Sequence, residues 1–493
     1  MKHQPVLESH DPIYALATPY GRSALAVLRV SGEGCLQVLA AAFSRPSSLA
    51  DCAGNTLLYG RIYDRSAAPA GELAATPERN AHAKTIDEVM LAVYRAPKSY
   101  TGEDSVEIMC HGSPAGIERI VGVLADLGMR PAEAGEFTRR AFLGGKLDLT
   151  QAEAIQELVE AETGTAHALA LNRLSGGLSR RIESAKQRVL DLTAAVAIQL
   201  DYAEEDTGLV ELPVGEVEAL QSELQVLADS FQIGRVFREG ASIALAGRTN
   251  AGKSSLFNLL LREDRAIVSA EAGTTRDYLE ARLDIEGVPV RLIDTAGLRL
   301  SESEIESEGM RRSRQLMENV DLVLYLVDSA EGPNDEDRAL IADLQTEGRC
   351  VVVYTKRDLL PDSYSASQQH LVFQHHAGSQ QPAGSQQQEA PTLVSSVSGE
   401  GLGDLHAVLV RRLVPGEHTD TEAVVIDSRR HRDLLLQAVA ALNDVQSGLA
   451  AGTALDLVAV DLQEALQSLG EITGEVASSE ILERMFGSFC VGK

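Results

Sequence analysis

The stretch SIALAGRTNAGKSSLFNLLL, Ser242–Leu261, sets the architecture of this chain. A short apolar run, SIALA, leads into GxxxxGK[ST], and SSLFNLLL continues with helical spacing. Strand, glycine-rich turn and helix in that order form a phosphate cradle. Glycine lets the backbone curl so that successive N–H groups face a phosphate, Lys253 supplies a point charge, and the Ser254 hydroxyl can ligate magnesium. Asn250, Ala251, Gly252, Lys253, Ser254 and Ser255 are the first candidate nucleotide contacts.

Moving downstream, apolar β-branched runs alternate with helical ones: VPVRLIDTAG, VDLVLYLVD, CVVVYTK and TLVSSVS. This alternation predicts a mostly parallel α/β sheet. Asp294, Thr295, Ala296 and Gly297 end the second run, where a carboxylate can hold the magnesium shell and the Gly297 N–H can meet a γ-phosphate. Thr355, Lys356, Arg357 and Asp358 follow the strand CVVVY. The Asp358 carboxylate can accept two hydrogen bonds from the ring N–H and amino group of guanine, a donor pair that adenine lacks, so the nucleotide is expected to be GTP.

Working outward, Ala152 to Asp201 is rich in Ala and Leu at helical spacing without proline, which predicts long helices. Helical texture returns after Pro415. Two segments read as surface insertions, 66–84 and 363–392; the second contains SQQPAGSQQQEAP, too polar to bury an apolar core. The 493 residues suggest about three domains. The expected fold class is α/β plus all-α multidomain: an N-terminal α/β domain over 1–148, helical segments over 149–238 and 416–493, and a Ras-like P-loop domain over 239–415 inserted between them. Forty-four basic against seventy-two acidic residues give a net charge of −28, which argues against a protein that coats nucleic acid through a basic surface. Local clusters, Arg180-Arg181 and Arg429-Arg430-His431-Arg432, are the candidate RNA contacts, and each reads equally as a solvated face. The first twenty residues contain no apolar signal core and no run reaches membrane-spanning length, so a soluble cytoplasmic protein is expected, with no membrane partner. Five cysteines without a CxxC pair fit a reducing compartment.

The ordered set GxxxxGKS, DTAG, TKRD and Ser395-Ser396-Val397 resembles a translation-factor-type GTPase domain, with Thr355 where that family usually has Asn. Gly273-Thr274-Thr275-Arg276-Asp277 resembles the switch I element of bacterial GTPases, which implies Thr275 as a second magnesium ligand. Asn250 together with the loop Ser269, Ala270, Glu271, Ala272 before GTTRD is similar to the potassium-activated GTPases; that likeness implies potassium held by Asn250, Ser269, Glu271 and Thr274, and hydrolysis by dimerised GTPase domains. It also makes Glu306 the residue that orients the attacking water beside catalytic Lys253 and Thr275, although Glu302, Glu304, Glu306 and Glu308 read equally as a solvated acidic face.

Three N-terminal segments resemble the MnmE (TrmE) family of tRNA-modification GTPases: ATPYGRSALAVLRVSG from Ala17, SYTGEDSVE through His111-Gly112, and GEFTRRAFLGGKLDLTQAEA from Gly135. The terminal Cys490-Val491-Gly492-Lys493 resembles that family's CxGK signature. The resemblance implies an N-terminal tetrahydrofolate-binding and dimerisation domain, with Arg29, Glu107, Lys146 and Lys493 contacting 5-formyltetrahydrofolate. It implies a homodimer that works with the FAD-dependent MnmG/GidA-type protein on the wobble uridine of tRNA. Without it, Arg29 and Glu107 read as edge-strand salt-bridge partners, and Cys490 is a secondary candidate nucleophile against a buried structural thiol. Two other functions fit parts of the pattern: an RNA-associated GTPase switch in ribosome assembly, and a one-carbon transferase that uses its GTPase domain only to oligomerise.

Overall fold

Period-two alternation over Leu25–Ser31 and Ser105–His111 builds the centre of the first sheet: Ala26, Leu28, Val30, Val106, Ile108 and Cys110 are all buried, while Arg29 and Glu107 stand opposite each other on the other face. The structure is a computed structural model that describes residues 10–64, 84–201, 214–266, 279–294, 316–360, 392–415, 424–476 and 478–492. Its chain forms two compact units, Met1–Gln156 with Gly470–Lys493, and Glu157–Leu469.

In the first unit, strands β1 (Ile13–Leu16), β2 (Leu25–Ser31), β3 (Thr56–Asp64), β4 (Lys84–Tyr94), β5 (Ser105–His111) and β6 (Arg130–Pro131) lie in the order β3-β4-β5-β2-β1-β6. Neighbours are antiparallel except β1 and β6. Helices α1 (Cys35–Ala40), α2 (Pro46–Ala50) and α3 (Pro114–Asp126) belong to this unit. The stripe Ile117, Ile120, Val123 and Leu124 of α3 joins the same core as the inward strand residues. Helix α4 (Glu136–Leu143) follows.

The segment 416–493, drawn from the sequence as one helical stretch, is shared between the units, because its last part, Gly470–Lys493, belongs with the N-terminal residues. Its final helix, Ser479–Phe486, contributes Leu482 and Phe486 to an apolar cluster with Leu149, Ala152 and Phe489. Gly135 has φ 63°, and a Cβ there would stand 2.5 Å from the Phe486 carbonyl oxygen, so only glycine lets the tail seat against this loop. Beyond it, Ala134 and Val491 form an isolated bridge.

In the second unit, strands β7 (Ala241–Gly247), β8 (Arg265–Ala266), β9 (Leu279–Ile285), β10 (Val288–Asp294), β11 (Leu322–Asp328), β12 (Cys350–Thr355) and β13 (Thr392–Leu393) lie in the order β13-β12-β11-β7-β10-β9-β8. The five strands from β13 to β10 are parallel, and β9 and β8 are antiparallel additions. Six consecutive buried residues in β7 and in β11 fit strands covered on both faces. Thr392 and Lys84 lie in strands, so each expected insertion is one residue shorter at its C-terminal end; the remainder of both lies outside the described residues.

The long helices expected between Ala152 and Asp201 are three: α5 (Leu149–Glu160), α6 (Gly164–Leu174) and α7 (Gly177–Asp201). The Thr163 hydroxyl accepts from the Ala166 N–H and starts a new helix, and Gly176 at φ 84° turns the chain before α7. Helices α8 (Val214–Asp229) and α9 (Phe231–Glu239) precede the parallel sheet, and α10 (Lys253–Glu263), α11 (Asp335–Thr346) and α12 (Leu402–Leu413) lie within it. Helices α13 (Arg429–Ala451) and α14 (Leu455–Thr473) follow. Helix α8 packs along α13, so helices from either side of the sheet domain share one layer. Their rim carries Gln221 to Asn443 at 2.9 Å and Gln446 to Glu218 at 2.7 Å. Among the described residues, no helix is long and apolar enough to cross a membrane.

Candidate functional site

The phosphate-binding turn is shaped by backbone sterics. Gly247 closes β7 at φ 130°, where a Cβ would stand 2.4 Å from the Leu326 carbonyl oxygen. Asn250 takes the left-handed conformation at φ 66°, which Asn tolerates better than most side chains, and Gly252 does so at φ 88°. Lys253 then opens α10, and its Nζ donates to the Gly247 and Arg248 carbonyl oxygens at 2.7 and 2.8 Å, holding the ammonium over the loop. Burial pulls the Lys253 ammonium below its usual range, against the opposing pull of Asp294.

The parallel pairing of β7 with β10 brings Asp294 to the same end of the sheet. Asp294 is buried, and Ser254 Oγ donates to its Oδ2 at 3.3 Å. A hydroxyl and a carboxylate so placed are hard oxygen donors that fit a magnesium ion. Strands β11 and β12 supply the opposite wall. Asp328 and Thr355 are in register, and Lys356, at φ 60°, donates from Nζ to Asp328 Oδ2 at 2.6 Å. Burial pushes the Asp328 carboxyl up, but the Lys356 ammonium and the Ala330 and Glu331 amides together outweigh it and hold the group below its usual range.

At the base-recognition end, Ser395 Oγ donates to Asp358 Oδ1 at 2.7 Å and accepts from the Val397 and Ser398 amides at 3.3 and 3.2 Å. Ser395 is fully buried whereas Val397 is exposed, so this turn presents its backbone outward while fixing the carboxylate. Arg357 pairs with Glu400 at 2.7 Å. The structure thus brings together Asn250 to Ser255, Asp294, Thr355 to Asp358 and Ser395 to Val397. Ser269 to Thr275, Thr295 to Gly297 and Glu306 lie outside the described residues.

Thr355 is buried, and its Oγ1 lies 2.8 Å from the Ala251 carbonyl oxygen and 3.2 Å from that of Val327. One hydroxyl proton therefore ties the phosphate loop to the strand that carries Asp358. Thr355→Val keeps the shape and removes the donor. It is expected to speed GDP release about five- to tenfold, from about 1 kcal/mol of lost hydrogen bonding, while Thr355→Asn retains slow release; fluorescent-GDP displacement measures both. Equal release from the Val variant and the parent would remove this role.

In the first unit, Glu107 Oε1 accepts from Arg29 Nε at 3.1 Å and from Nη2 at 2.8 Å. These are salt-bridge partners on interior strands rather than at an edge. Arg29 Nη1 also donates to the Gly492 carbonyl oxygen at 3.2 Å, and its guanidinium lies 5.3 Å from the Tyr100 ring centre and 5.8 Å from that of Phe137. Gly492 has φ 101°, and a Cβ there would meet the Leu16 carbonyl oxygen at 2.5 Å. Lys146 Nζ donates to the Pro97 carbonyl oxygen at 2.9 Å, on the loop that also carries Tyr100. Lys493 lies outside the described residues, next to Gly492. Tyr100, Phe137 and Gly492 were not singled out from the sequence as site residues; SYTGED and the tail glycine were the available signals.

Cys490 is exposed, and it is Phe489 that is buried, which removes the reading of a buried structural thiol. The run Arg429 to Arg432 is divided by the fold: Arg429 is exposed, His431 is buried, and Arg432 lies 4.7 Å from the Phe231 ring centre and pairs with Asp433. Arg180 and Arg181 are exposed, with Arg180 donating to the Ser175 carbonyl oxygen at 2.8 Å.

A family model described as the MnmE helical domain matches residues 149–490, and one described as the N-terminus of the GTP-binding protein TrmE matches residues 12–146. A Treponema denticola protein named tRNA modification GTPase MnmE is 40% identical over 493 residues, covering 98% of this chain and 98% of its own length. A Borrelia recurrentis protein of the same name is 39% identical over 493 residues, covering 99% of each. Among solved structures, the G domain of the T. maritima FeoB iron transporter is 25% identical, covering 35% of this chain and 98% of that chain at a TM-score of 0.25. By these matches across nearly its whole length, the chain belongs to the MnmE (TrmE) family of tRNA modification GTPases.

Proposed function

We propose that this GTP hydrolase of tRNA modification is potassium-activated and homodimeric. With an FAD-dependent MnmG/GidA-type partner, it adds a carboxymethylaminomethyl or aminomethyl group to C5 of the wobble uridine, and 5-formyltetrahydrofolate is its one-carbon donor. The observation that carries the reading is the convergence of the C-terminal Gly492 with Arg29 and Glu107, 463 residues of sequence away from Arg29. Both Arg29 bonds fall on Glu107 Oε1, so the Oε2 face is the one offered to the aminopyrimidine edge of a pterin. Arg29, Lys146 and Lys493 supply cations for the acidic tail and polarised carbonyls of the folate.

In the hydrolytic half, Lys253 and the backbone from Asn250 to Ser255 hold the β- and γ-phosphates, and Asp358 selects guanine. Ser254, Thr275 and Asp294 would hold magnesium, which when bound neutralises charge on the phosphate oxygens. Asn250, Ser269, Glu271 and Thr274 would hold potassium against the same developing charge. Glu306 orients the water whose oxygen attacks the γ-phosphorus as the bond to the GDP oxygen breaks. Hydrolysis switches the GTPase domains between apart and dimerised, and the helical layer relays that motion to the folate and partner site. Dimerisation of the N-terminal domain is supported by its open sheet face, where Leu25, Leu57, Tyr59 and Met90 are 65%, 59%, 52% and 42% exposed.

Calorimetric titration of the intact, GTP-competent chain with 5-formyltetrahydrofolate tests the reading. One site per chain is expected, weakened about ten- to a hundredfold by Arg29→Met through loss of charged hydrogen bonds, and weakened also by removal of Lys493. Absence of binding by the intact chain would remove the one-carbon role.

A further inference from the structure

Strands β9 and β10 are the two arms of one antiparallel hairpin, paired from Leu279 with Asp294 to Ile285 with Val288. Two residues before β9 the sequence ends GTTRD at Asp277, and β10 itself ends on the Asp294 that opens DTAG, so each arm leads to one nucleotide-sensing loop. The opposite end of the hairpin turns at Glu286 and Gly287, with φ 50° and 88°, and Asp284 Oδ1 accepts from the Gly287 N–H at 2.7 Å. That turn rests on the first turn of α6, where a Cβ added to Gly287 would stand 2.4 Å from Thr165 Oγ1.

A side chain fastens the same contact. Arg282, on β9, pairs with Glu162 in the short connection between α5 and α6. Beside the pair lies a polar cleft of about 330 Å³ lined in part by Glu162, Arg235, Ser242, Arg282, Arg291 and Asp321. Across it Arg235 bonds Asp321 at 2.7 Å, and Asp321 accepts from the Ser242 amide and hydroxyl at 2.8 and 2.7 Å. Helix α5 passes the contact onward: Glu157 pairs at 2.6 Å with Arg173 of α6, which also bonds Asp427 in the segment returning from the GTPase domain. The Glu162–Arg282 and Arg235–Asp321 pairs are partly exposed and exchange readily. Glu157, Arg173 and Asp427 are buried, and Leu169 of α6 joins the apolar cluster of Leu283, Ile285 and Val288, so the Glu162–Arg282 latch can yield while the hairpin's foot stays seated.

We infer that the β9–β10 hairpin is the lever that carries nucleotide state from both sensing loops to the helical layer, with Glu162–Arg282 as its latch and the Glu286–Gly287 turn on Thr165 as its foot. The inference rests on the proposed relay and gives it a route. Arg282 and Glu162 are positioning residues that touch neither nucleotide nor folate.

Hydrogen exchange on the full chain, loaded in turn with GDP and with a non-hydrolysable GTP analogue in magnesium and potassium, tests the lever. Amides within 157–174 of the parent are expected to differ about threefold or more in exchange rate between the two nucleotides. Arg282→Glu and the milder Arg282→Met, which keeps the aliphatic stem, abolish that difference while leaving nucleotide affinity within about twofold. The exchanged pair Glu162→Arg with Arg282→Glu restores it. A parent without a nucleotide-dependent difference in 157–174, or an Arg282→Met variant that keeps the full difference, would overturn the lever. Nucleotide affinity and turnover on the same samples show separately whether the GTPase reading holds.

Discussion

Asp358→Asn is expected to turn a guanine nucleotide site into a xanthine one. The carboxylate is held in one orientation by the Ser395 hydroxyl, itself fixed by the Val397 and Ser398 amides. In that orientation it accepts from two guanine donors, each charge-assisted bond worth about 1.5–3 kcal/mol; the amide keeps one acceptor but sets a donor against the guanine amino group, so the lost bond and the unpaired donors together lower GDP affinity about a hundred- to a thousandfold. An amide offers one acceptor and one donor, the complement of the N–H and carbonyl that xanthine presents. XDP affinity is therefore expected to rise as GDP affinity falls, and calorimetry with both nucleotides measures the crossover. Unchanged GDP affinity would remove Asp358 from base recognition.

The second large effect is on stability. Glu136 is 1% exposed and accepts from Arg130 Nη2 at 2.7 Å, Arg130 Nη1 at 3.0 Å, Arg140 Nη2 at 2.9 Å and the Glu133 amide at 2.9 Å. Burial pushes its carboxyl up, but Arg130, the Glu133 amide and Arg140 together outweigh that and bring it down to about 2 from an ordinary 4.5. Because the folded value lies below the unfolded one, the stabilisation is fully present above about pH 4.5 and is lost as pH falls towards about 2. Glu136→Gln is expected to cost on the order of 3 kcal/mol at pH 7, about 6–12 °C in melting temperature, since two arginines lose their buried charged partner. The gap between parent and variant narrows as pH falls from 4.5 to 3, measured by circular dichroism melts. A gap constant over that range would mean that Glu136 acts by shape and not by charge. Arg140 also reaches Glu103 at 3.1 Å, and Glu103 bonds Ser31, so the loss would spread through the strands beneath Arg29.

The nucleotide cradle was legible because its requirements are local. Gly247, Gly252, Lys253 and Ser254 sit at fixed spacing between a strand and a helix, and parallel pairing brings Asp294 and Thr355 to the same sheet end. Other features depend on partners far along the chain. The Arg29–Glu107 pair requires the β2–β5 register, 78 residues apart, and the seating of the tail on Gly135 depends on a backbone approach that composition does not show. His431 looked like one cation in a basic run, yet the α13 stripe turns it inward. Several long helices were legible over Ala152–Asp201 from the Ala/Leu periodicity, while the breaks between them, at Thr163 and Gly176, are carried by the Thr-Gly and Ser-Gly-Gly steps. The Thr355 bridge to Ala251 replaces part of what an Asn would do there, and only geometry shows which carbonyl its single proton meets.

The tail that meets Arg29 is made long after the N-terminal sheet that it joins. The N-terminal sheet is synthesised first, yet the Gly492 contact and the apolar cluster of Leu482, Phe486 and Phe489 cannot form until residues 482–492 have been translated. Closing a contact across nearly the whole chain is a late and slow event in folding. A product that stopped before Leu482 would carry every GTPase motif and still lack a finished N-terminal unit. Recombinant protein with residues added after Lys493 should therefore be compared with the chain that stops there before its folate affinity is interpreted.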